Sequence, residues 1–208
     1  ITVGTKNSGS ATVSHEFYLV NARDRYEALK RLADANPDIF SVVFCRTKRD
    51  TQQVAERLIE DGYSAAALHG DLSQAQRDSV MKSFRGHQIQ MLVATDVAAR
   101  GIDVDSITHV VNYQLPDEIE TYTHRSGRTG RAGKLGTYIV IVTKSELRKI
   151  SSSERSIKQK VEEKTLPSGI EICEIQVLHL ATKIKDTEVD HEIDNYLPAI
   201  NNGLEELS

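Results

Sequence analysis

The sequence is poor in the residues that mark several protein classes. Its 208 residues include no tryptophan, 2 cysteines, 4 prolines and only 5% aromatic residues. No apolar run approaches the roughly 20 residues that cross a bilayer, so we expect no transmembrane helix. Cys45 and Cys173 lie far apart, which favours two reduced thiols in a cytoplasmic protein over a disulfide. The 7 histidines lack metal-ligand spacing, so no metal site is expected.

The beginning of the chain lacks two further features. Ile1–Gly4 contains no initiator methionine, and no basic stretch precedes an apolar one as in a signal peptide. We therefore expect a fragment of a longer protein. Hydrophobic residues make up 39% and charged residues 27%, which is the composition of an ordinary soluble domain with a packed core.

The charge balance differs between the two parts of the chain. The net charge of −4 argues at first sight against a nucleic-acid partner. Residues 1–147, however, carry 18 basic and 18 acidic side chains, whereas residues 148–208 carry 8 and 12. The deficit thus lies in the tail, and a neutral body can still present a basic face to phosphates.

Short apolar runs alternate with segments of helical periodicity over most of the chain. Such repeated strand–helix units predict an α/β fold with a parallel sheet covered by helices on both faces. Ser73 with Gln76 has the pattern of a capping box, and Gly86 ends the helix that follows. The predicted strands are residues 15–20, 41–46, 64–69, 89–94, 107–112 and 137–142; the other predicted helices are 24–35, 50–61 and a segment from 116 to 124.

Polar clusters follow three of the predicted strands. They are residues 46–48, 69–71 and 95–96. Ligands of open parallel sheets bind beyond the carboxyl ends of the strands. We therefore expect the functional site at that edge.

Three arginines recur at three-residue spacing in residues 121–133. They are Arg125, Arg128 and Arg131, and interspersed glycines let the backbone leave the helix. Guanidinium groups stay charged and bind phosphate oxygens by two hydrogen bonds. The run is either a solvated basic helix end or a pair of arginine fingers for a phosphoryl group.

A second cluster, residues 94–103, changes the balance between these interpretations. Taken alone, Thr95 and Asp96 could cap a helix, and Arg100 and Gly101 could form a turn. Together with the arginine run, the cluster resembles motifs V and VI of the DEAD-box family of superfamily 2 helicases. Three further stretches resemble motif IV, the glutamine–arginine motif and the segment between motifs V and VI, in family order: residues 42–47, 69–77 and 111–116.

The resemblance implies a RecA-like domain that closes on an N-terminal RecA-like domain of the same protein, with ATP in the cleft and RNA across both. Arg128 and Arg131 would reach the γ-phosphate, and Gly101 and Asp103 would line the nucleotide. His124, Arg125 and Arg100 would couple the nucleotide site to the interdomain contacts, although a structural role for His124 stays open. The implied contacts with the RNA backbone are Arg46, Gly70, Arg77 and Thr95, with Asp96 nearby.

The sequence contains neither a phosphate-binding loop nor an Asp-Glu-Ala-Asp run for magnesium. ATP and Mg²⁺ would therefore be held mainly by the N-terminal domain, and we expect this fragment alone to be inactive. A non-catalytic interaction module with a helicase-like fold is the alternative, and a DNA helicase of the same superfamily is a third possibility.

The tail has its own character. We expect residues 1–14 to be a linker remnant, 15–147 the RecA-like domain and 148–208 a helical extension. Residues 144–164 are polar and mostly compatible with a helix; residues 170–184 and 190–207 are amphipathic. The extension resembles that of cold-shock-type bacterial DEAD-box helicases. Its apolar faces predict a homodimer interface over 170–207, unless they fold back on the parent domain.

Overall fold

A single seven-stranded sheet organises the protein. The computed structural model describes residues 12–131 and 133–187. Every strand pairs with its neighbours in parallel, in the order β3-β4-β2-β5-β6-β1-β7. The predicted parallel α/β architecture is thereby confirmed. The strands are β1 Val13–Leu19, β2 Ser41–Phe44, β3 Ala65–Leu68, β4 Met91–Ala94, β5 His109–Asn112, β6 Gly136–Val142 and β7 Glu162–Lys164.

Helices connect the strands, and their ends carry the expected signals. Ser73 and Gln76 form the predicted capping box, and Gly86 is the C-cap of the same helix. Thr47 caps the helix after β2 by accepting a hydrogen bond from the Asp50 amide. The helices are α1 Arg25–Asp34, α2 Lys48–Glu60, α3 Gln74–Arg85, α4 Ile119–Ser126, α5 Leu147–Ile157 and α6 Gly169–Asp186.

The core lies on both faces of the sheet. The central strands β2 and β4 are buried along their whole length, as their uninterrupted apolar sequences require. On one face, α3, α4 and α5 cover residues such as Phe44 and Val140. On the other face, α1 and α2 cover residues such as Val43 and Ile141.

The structure corrects the predicted boundaries at several places. The predicted strands 15–20 and 41–46 end one or two residues earlier, because their last residues already belong to the loops of the carboxyl edge. Helix α4 begins at Ile119 rather than at Pro116, since Glu118 is still extended and serves as its N-cap. Strand β7 lies inside the segment predicted as mostly helical. Its three residues are all exposed, so no alternation of polar and apolar side chains announced it.

Helix α6 differs from the other helices because none of its residues is buried. Ser168 and Glu171 form a capping box at its start, so the predicted break at residues 166–169 is where this helix begins. Gln176 donates a hydrogen bond to the Asp34 carbonyl, and His179 lies 3.6 Å from the Asp38 carboxylate. The predicted helix 190–207 falls outside the described residues. Among the described helices, none is long and apolar enough to cross a membrane.

Candidate functional site

The predicted site residues follow neighbouring strands of the sheet. Gly70 comes after β3, Thr95 and Asp96 after β4, and Arg46 after β2. Because β3, β4 and β2 are consecutive in the sheet and parallel, these loops emerge side by side at its carboxyl edge. The sheet thus brings together three clusters that the sequence separates.

Arg125 is the anchor between α4 and the loop after β4. Its side chain is only 1% exposed. Nε and Nη2 donate to the two carboxylate oxygens of Asp96 at 2.6 and 2.7 Å. Nη1 donates to Asn112 Oδ1 at 2.6 Å and to the Gln114 carbonyl at 3.0 Å. The guanidinium also lies 4.7 Å from the centre of the Phe44 ring. A buried charge with this many partners fixes the loop and helix relative to each other.

The next two arginines of the run contact the end of the same loop. Arg128 Nη1 donates to the Ile102 carbonyl at 2.7 Å, and Arg131 Nη1 donates to the Asp103 carboxylate at 2.7 Å. Arg131 Nε is held by the Gly127 carbonyl at 2.8 Å. The loop from Asp96 to Asp103 and the arginine run are therefore joined at three points.

The electrostatics of this pair favour an anion. Burial, and then the neighbouring charge of Arg131, lower the pKa of Arg128, while Asp103 opposes the shift. Two guanidinium groups thus share one exposed carboxylate, which leaves an excess of positive charge. Arg128 also lines a pocket of about 350 Å³ together with Asp96, Arg100, Gly101 and His124. His124 and Arg100 are exposed at the surface of this pocket.

The backbone at the end of the run leaves no room for a side chain. Gly130 adopts a φ of +68°, and a Cβ there would lie 2.4 Å from Val13 Cγ2 on β1. Thr12 Oγ1 donates to the Gly130 carbonyl at 2.8 Å. The glycine therefore lets the chain leave α4 and turn against the first strand.

The remaining predicted site residues are held by local contacts. Arg46 donates to the Leu115 carbonyl and to Asp117. Half-buried Arg77 donates to the Ala98 carbonyl, which belongs to the loop after β4. Thr95 accepts a hydrogen bond from the Ala98 amide at 3.4 Å. Gly70 is exposed, beside the aliphatic part of Lys48. Lys48 also pairs with Asp71, the residue after Gly70.

Two residues were missed as parts of the site. Asn112 is fully buried, accepts from Arg125 and from the Tyr138 hydroxyl, and donates to the Ile139 carbonyl. A polar residue closing the apolar strand His109–Asn112 was the available signal. Asp117 accepts from both Arg46 and Lys149. No sequence pattern links these three positions, since the sheet order brings them together.

Comparisons with known proteins decide the family. The profile described as helicase conserved C-terminal domain matches residues 24–133. The DEAD-box ATP-dependent RNA helicase CshA of Bacillus cereus is 40% identical over 192 residues, which cover 92% of this chain and 37% of that protein. The chain belongs to the DEAD-box family as a helicase C-terminal domain. It spans less than half the length of this curated relative.

Solved DEAD-box structures have the same fold as this helicase C-terminal domain. A DEAD box protein from the hyperthermophile Methanococcus jannaschii is 45% identical with a TM-score of 0.69, covering 74% of this chain and 42% of that one. Saccharomyces cerevisiae Dbp5, solved bound to RNA and ADP BeF3, is 29% identical with a TM-score of 0.68, covering 78% and 45%. The predicted RecA-like fold and DEAD-box resemblance are confirmed, and the similarity to CshA fits the cold-shock subgroup.

A second profile covers the end of the DEAD-box chain. The family described as probable ATP-dependent RNA helicase, helical domain, matches residues 172–208. The described part of this match is helix α6 from Ile172 onward.

Proposed function

We propose that this domain supplies two arginine fingers to ATP held by an N-terminal RecA-like domain, within an ATP-dependent RNA helicase whose ATPase is stimulated by RNA. Arg128 and Arg131 stabilise the charge on the transferred phosphoryl group, and Gly101 and Asp103 line the nucleotide from this side. The observation that carries the proposal is that both guanidinium groups are fixed on the same loop, Arg128 by the Ile102 carbonyl and Arg131 by the Asp103 carboxylate.

The chemistry of the described residues fits a site in which this domain supplies arginines and the N-terminal domain holds ATP. Partly exposed and partly paired guanidinium groups suit a phosphate that arrives with another domain. The described residues include no group of three or more His, Cys, Asp or Glu side chains that could hold a metal ion. We assign Mg²⁺, together with the phosphates of ATP, to the N-terminal domain. The name of the relative CshA, and the nucleotide and RNA in the structure of Dbp5, support the same activity.

We further propose that RNA lies along the carboxyl edge of the sheet. Arg46, Gly70 and Thr95 follow three adjacent strands there, with Asp96 beside Thr95. Arg77, on α3, contacts the loop after β4 through the Ala98 carbonyl. Guanidinium, hydroxyl and backbone N–H groups address phosphates and sugars, which position a strand without reading its bases.

In this proposal Arg125 is the coupling residue. It joins Asp96, next to the RNA contacts, to α4, the helix directly before Arg128. A shift of the loop on RNA binding is thereby transmitted to the arginine fingers. His124 and Arg100, exposed around the same pocket, contribute to the contact with the N-terminal domain.

The decisive experiment removes each finger in the full-length helicase that contains this chain. Arg128→Ala and Arg131→Ala should each lower RNA-stimulated ATP turnover by about 100-fold or more. Arg31→Ala is the matched control, because the Arg31 side chain is 42% exposed on α1, away from the candidate site, and pairs with Glu27. Turnover close to normal in both finger variants would favour the alternative, a non-catalytic interaction module. The isolated chain should show no turnover above background.

We also propose that residues 1–14 are a linker remnant, that 15–147 form the RecA-like domain, and that 148–208 form a helical extension of it. We propose further that residues 170–207 contain a homodimer interface. The support is a set of exposed apolar side chains on α6: Ile170, Val177, Leu178, Leu180 and Ile184. Each is at least 58% exposed, which is costly in water. Light scattering over a concentration series tests the dimer, and a monomer at every concentration would exclude it.

A further inference from the structure

Three charged residues continue the row of candidate RNA contacts across the sheet. Arg46 follows β2, Asp117 follows β5, and Lys149 lies in the first turn of α5, after β6. Strands β2, β5 and β6 are consecutive neighbours, all parallel. The row of loops that begins at β3 and β4 therefore extends by two more strand ends.

Arg46 is held in two different ways. Nε and Nη2 donate to the Leu115 carbonyl at 3.0 and 2.9 Å, which fixes the guanidinium to the backbone. Nη2 also donates to Asp117 Oδ1 at 2.8 Å. Among the described residues, Nη1 has no hydrogen-bond partner. The Nη1–Nη2 edge, which can grip a phosphate by two hydrogen bonds, is thus half occupied by Asp117.

One carboxylate oxygen of Asp117 accepts hydrogen bonds from two cationic side chains. Lys149 Nζ donates to the same Oδ1 at 2.6 Å. The Asp117 side chain is 68% exposed, and those of Arg46 and Lys149 are 36% and 43% exposed. The hydrogen bond from Lys149 lowers the pKa of Asp117, so the carboxylate is ionised at neutral pH. A phosphate that approaches Arg46 therefore meets a negative charge at the same place.

We propose that Asp117 competes with RNA phosphate for Arg46 and Lys149, and that Lys149 is a further phosphate contact of this domain. The proposal rests on the proposed function, since it requires RNA at the carboxyl edge. When RNA binds, the Leu115 carbonyl keeps Arg46 in place while a phosphate oxygen replaces the carboxylate on Nη2. Lys149 loses its hydrogen bond to the same carboxylate oxygen and contacts the next phosphate. The RNA footprint then extends from β3 to β6.

Stability measurements do not test this idea. Exposed ion pairs of this kind contribute little to folding, so loss of Asp117 leaves the fold intact whether or not it competes with RNA. The informative quantities are the affinity for RNA and its dependence on salt, because each phosphate contact releases counterions.

The experiment uses the full-length helicase, a labelled single-stranded RNA of mixed sequence and a non-hydrolysable ATP analogue, with anisotropy read over a salt series. Asp117→Asn should tighten binding about three-fold or more, because the same two phosphate contacts then form without displacing a carboxylate. Lys149→Ala should weaken binding and flatten the plot of log affinity against log salt by about 0.7, the amount for one lost phosphate contact. Asp61→Asn is the matched control, because exposed Asp61 pairs with Lys30 and Tyr26 on another surface and should change nothing.

Two further variants separate the possible failures. Arg46→Ala tests the proposed function: unchanged RNA affinity would remove Arg46 from the RNA contacts. If Arg46→Ala weakens binding but Asp117→Asn leaves it unchanged or weaker, the competition is refuted while the RNA edge stands. Asp117→Asn should lose its gain when Arg46 and Lys149 are both alanine. A gain that persists there would come from net charge alone and would overturn the proposal.

Discussion

Helices α4 and α6 are attached to the same sheet in opposite ways. α4 is fixed by buried groups: Arg125 binds Asp96 and Asn112, and Tyr122 packs against Tyr138 with ring centres 4.5 Å apart. α6 has no buried residue and contacts the body through polar groups. The difference indicates that α4 is part of the folding unit, whereas the apolar side chains of α6 are exposed at the surface of the described residues.

The largest expected effect comes from removing the buried guanidinium. Arg125→Ala should lower the free energy of unfolding by about 3–5 kcal/mol, because Asp96 and Asn112 lose their partner and a cavity remains. Arg125→Lys keeps the charge but not the two-pronged contact, and should recover only part of the loss. Urea unfolding at neutral pH measures both.

Arg128→Ala is the control for that prediction. Arg128 is only partly buried and makes one hydrogen bond, to the Ile102 carbonyl. Its loss should cost less than about 1 kcal/mol. Equal losses for the two variants would contradict the view that the buried Arg125 anchors α4 more strongly than the partly buried Arg128.

The second prediction concerns pH. His15 on β1 is 3% exposed, its Nδ1 lies 2.9 Å from the Tyr122 hydroxyl, and burial lowers its pKa to about 4. As the pH falls below 6.5, His15 becomes protonated in the unfolded chain, whereas in the folded chain it stays neutral until about pH 4. His15 should therefore cost stability as the pH falls through this window, by about 3 kcal/mol in total.

His15→Phe isolates this contribution. The variant loses a hydrogen bond at every pH, so the informative quantity is the slope of stability against pH. Between pH 6 and pH 4 the slope should fall by up to about 1.4 kcal/mol per pH unit. His109, whose pKa burial also lowers to about 4, keeps its own contribution in both proteins. Identical slopes would show that His15 is not buried against α4.

The third prediction tests the turn that ends the arginine run. Gly130→Ala should cost about 2–3 kcal/mol, because the new Cβ meets Val13 and the backbone is left-handed. Gly133→Ala has a similar φ of +77° but meets no atom within 4 Å, so it should cost only about 1 kcal/mol. Thermal unfolding of the two variants gives the difference, and equal losses would mean that β1 does not constrain the turn.

The sequence predicted the features that have local signals and missed the contacts that depend on strand order. Strands and helices of the body follow from periodicity and caps, since Ser73 and the apolar run Ser41–Phe44 carry local signals. The spacing of the arginine run left two interpretations open, and the resemblance to motifs V and VI favoured the arginine fingers. The role of Asn112 and the shared carboxylate of Asp117 could not be predicted, because both depend on which strands are neighbours. β7 was missed because an exposed edge strand of three residues has no pattern of its own.

The smallest effect should follow the removal of α6. A chain that ends at Ser168 keeps Leu166, which packs against the core, and the described residues that it loses include no buried side chain. Its free energy of unfolding should change by less than about 1 kcal/mol when both proteins are monomeric by light scattering. Ile150→Ala on α5, where Ile150 is 4% exposed, should cost about 2–5 kcal/mol in the same assay. A loss from the truncation as large as that of Ile150→Ala would mean that α6 belongs to the folding unit, and its exposed apolar face would then be no argument for a partner.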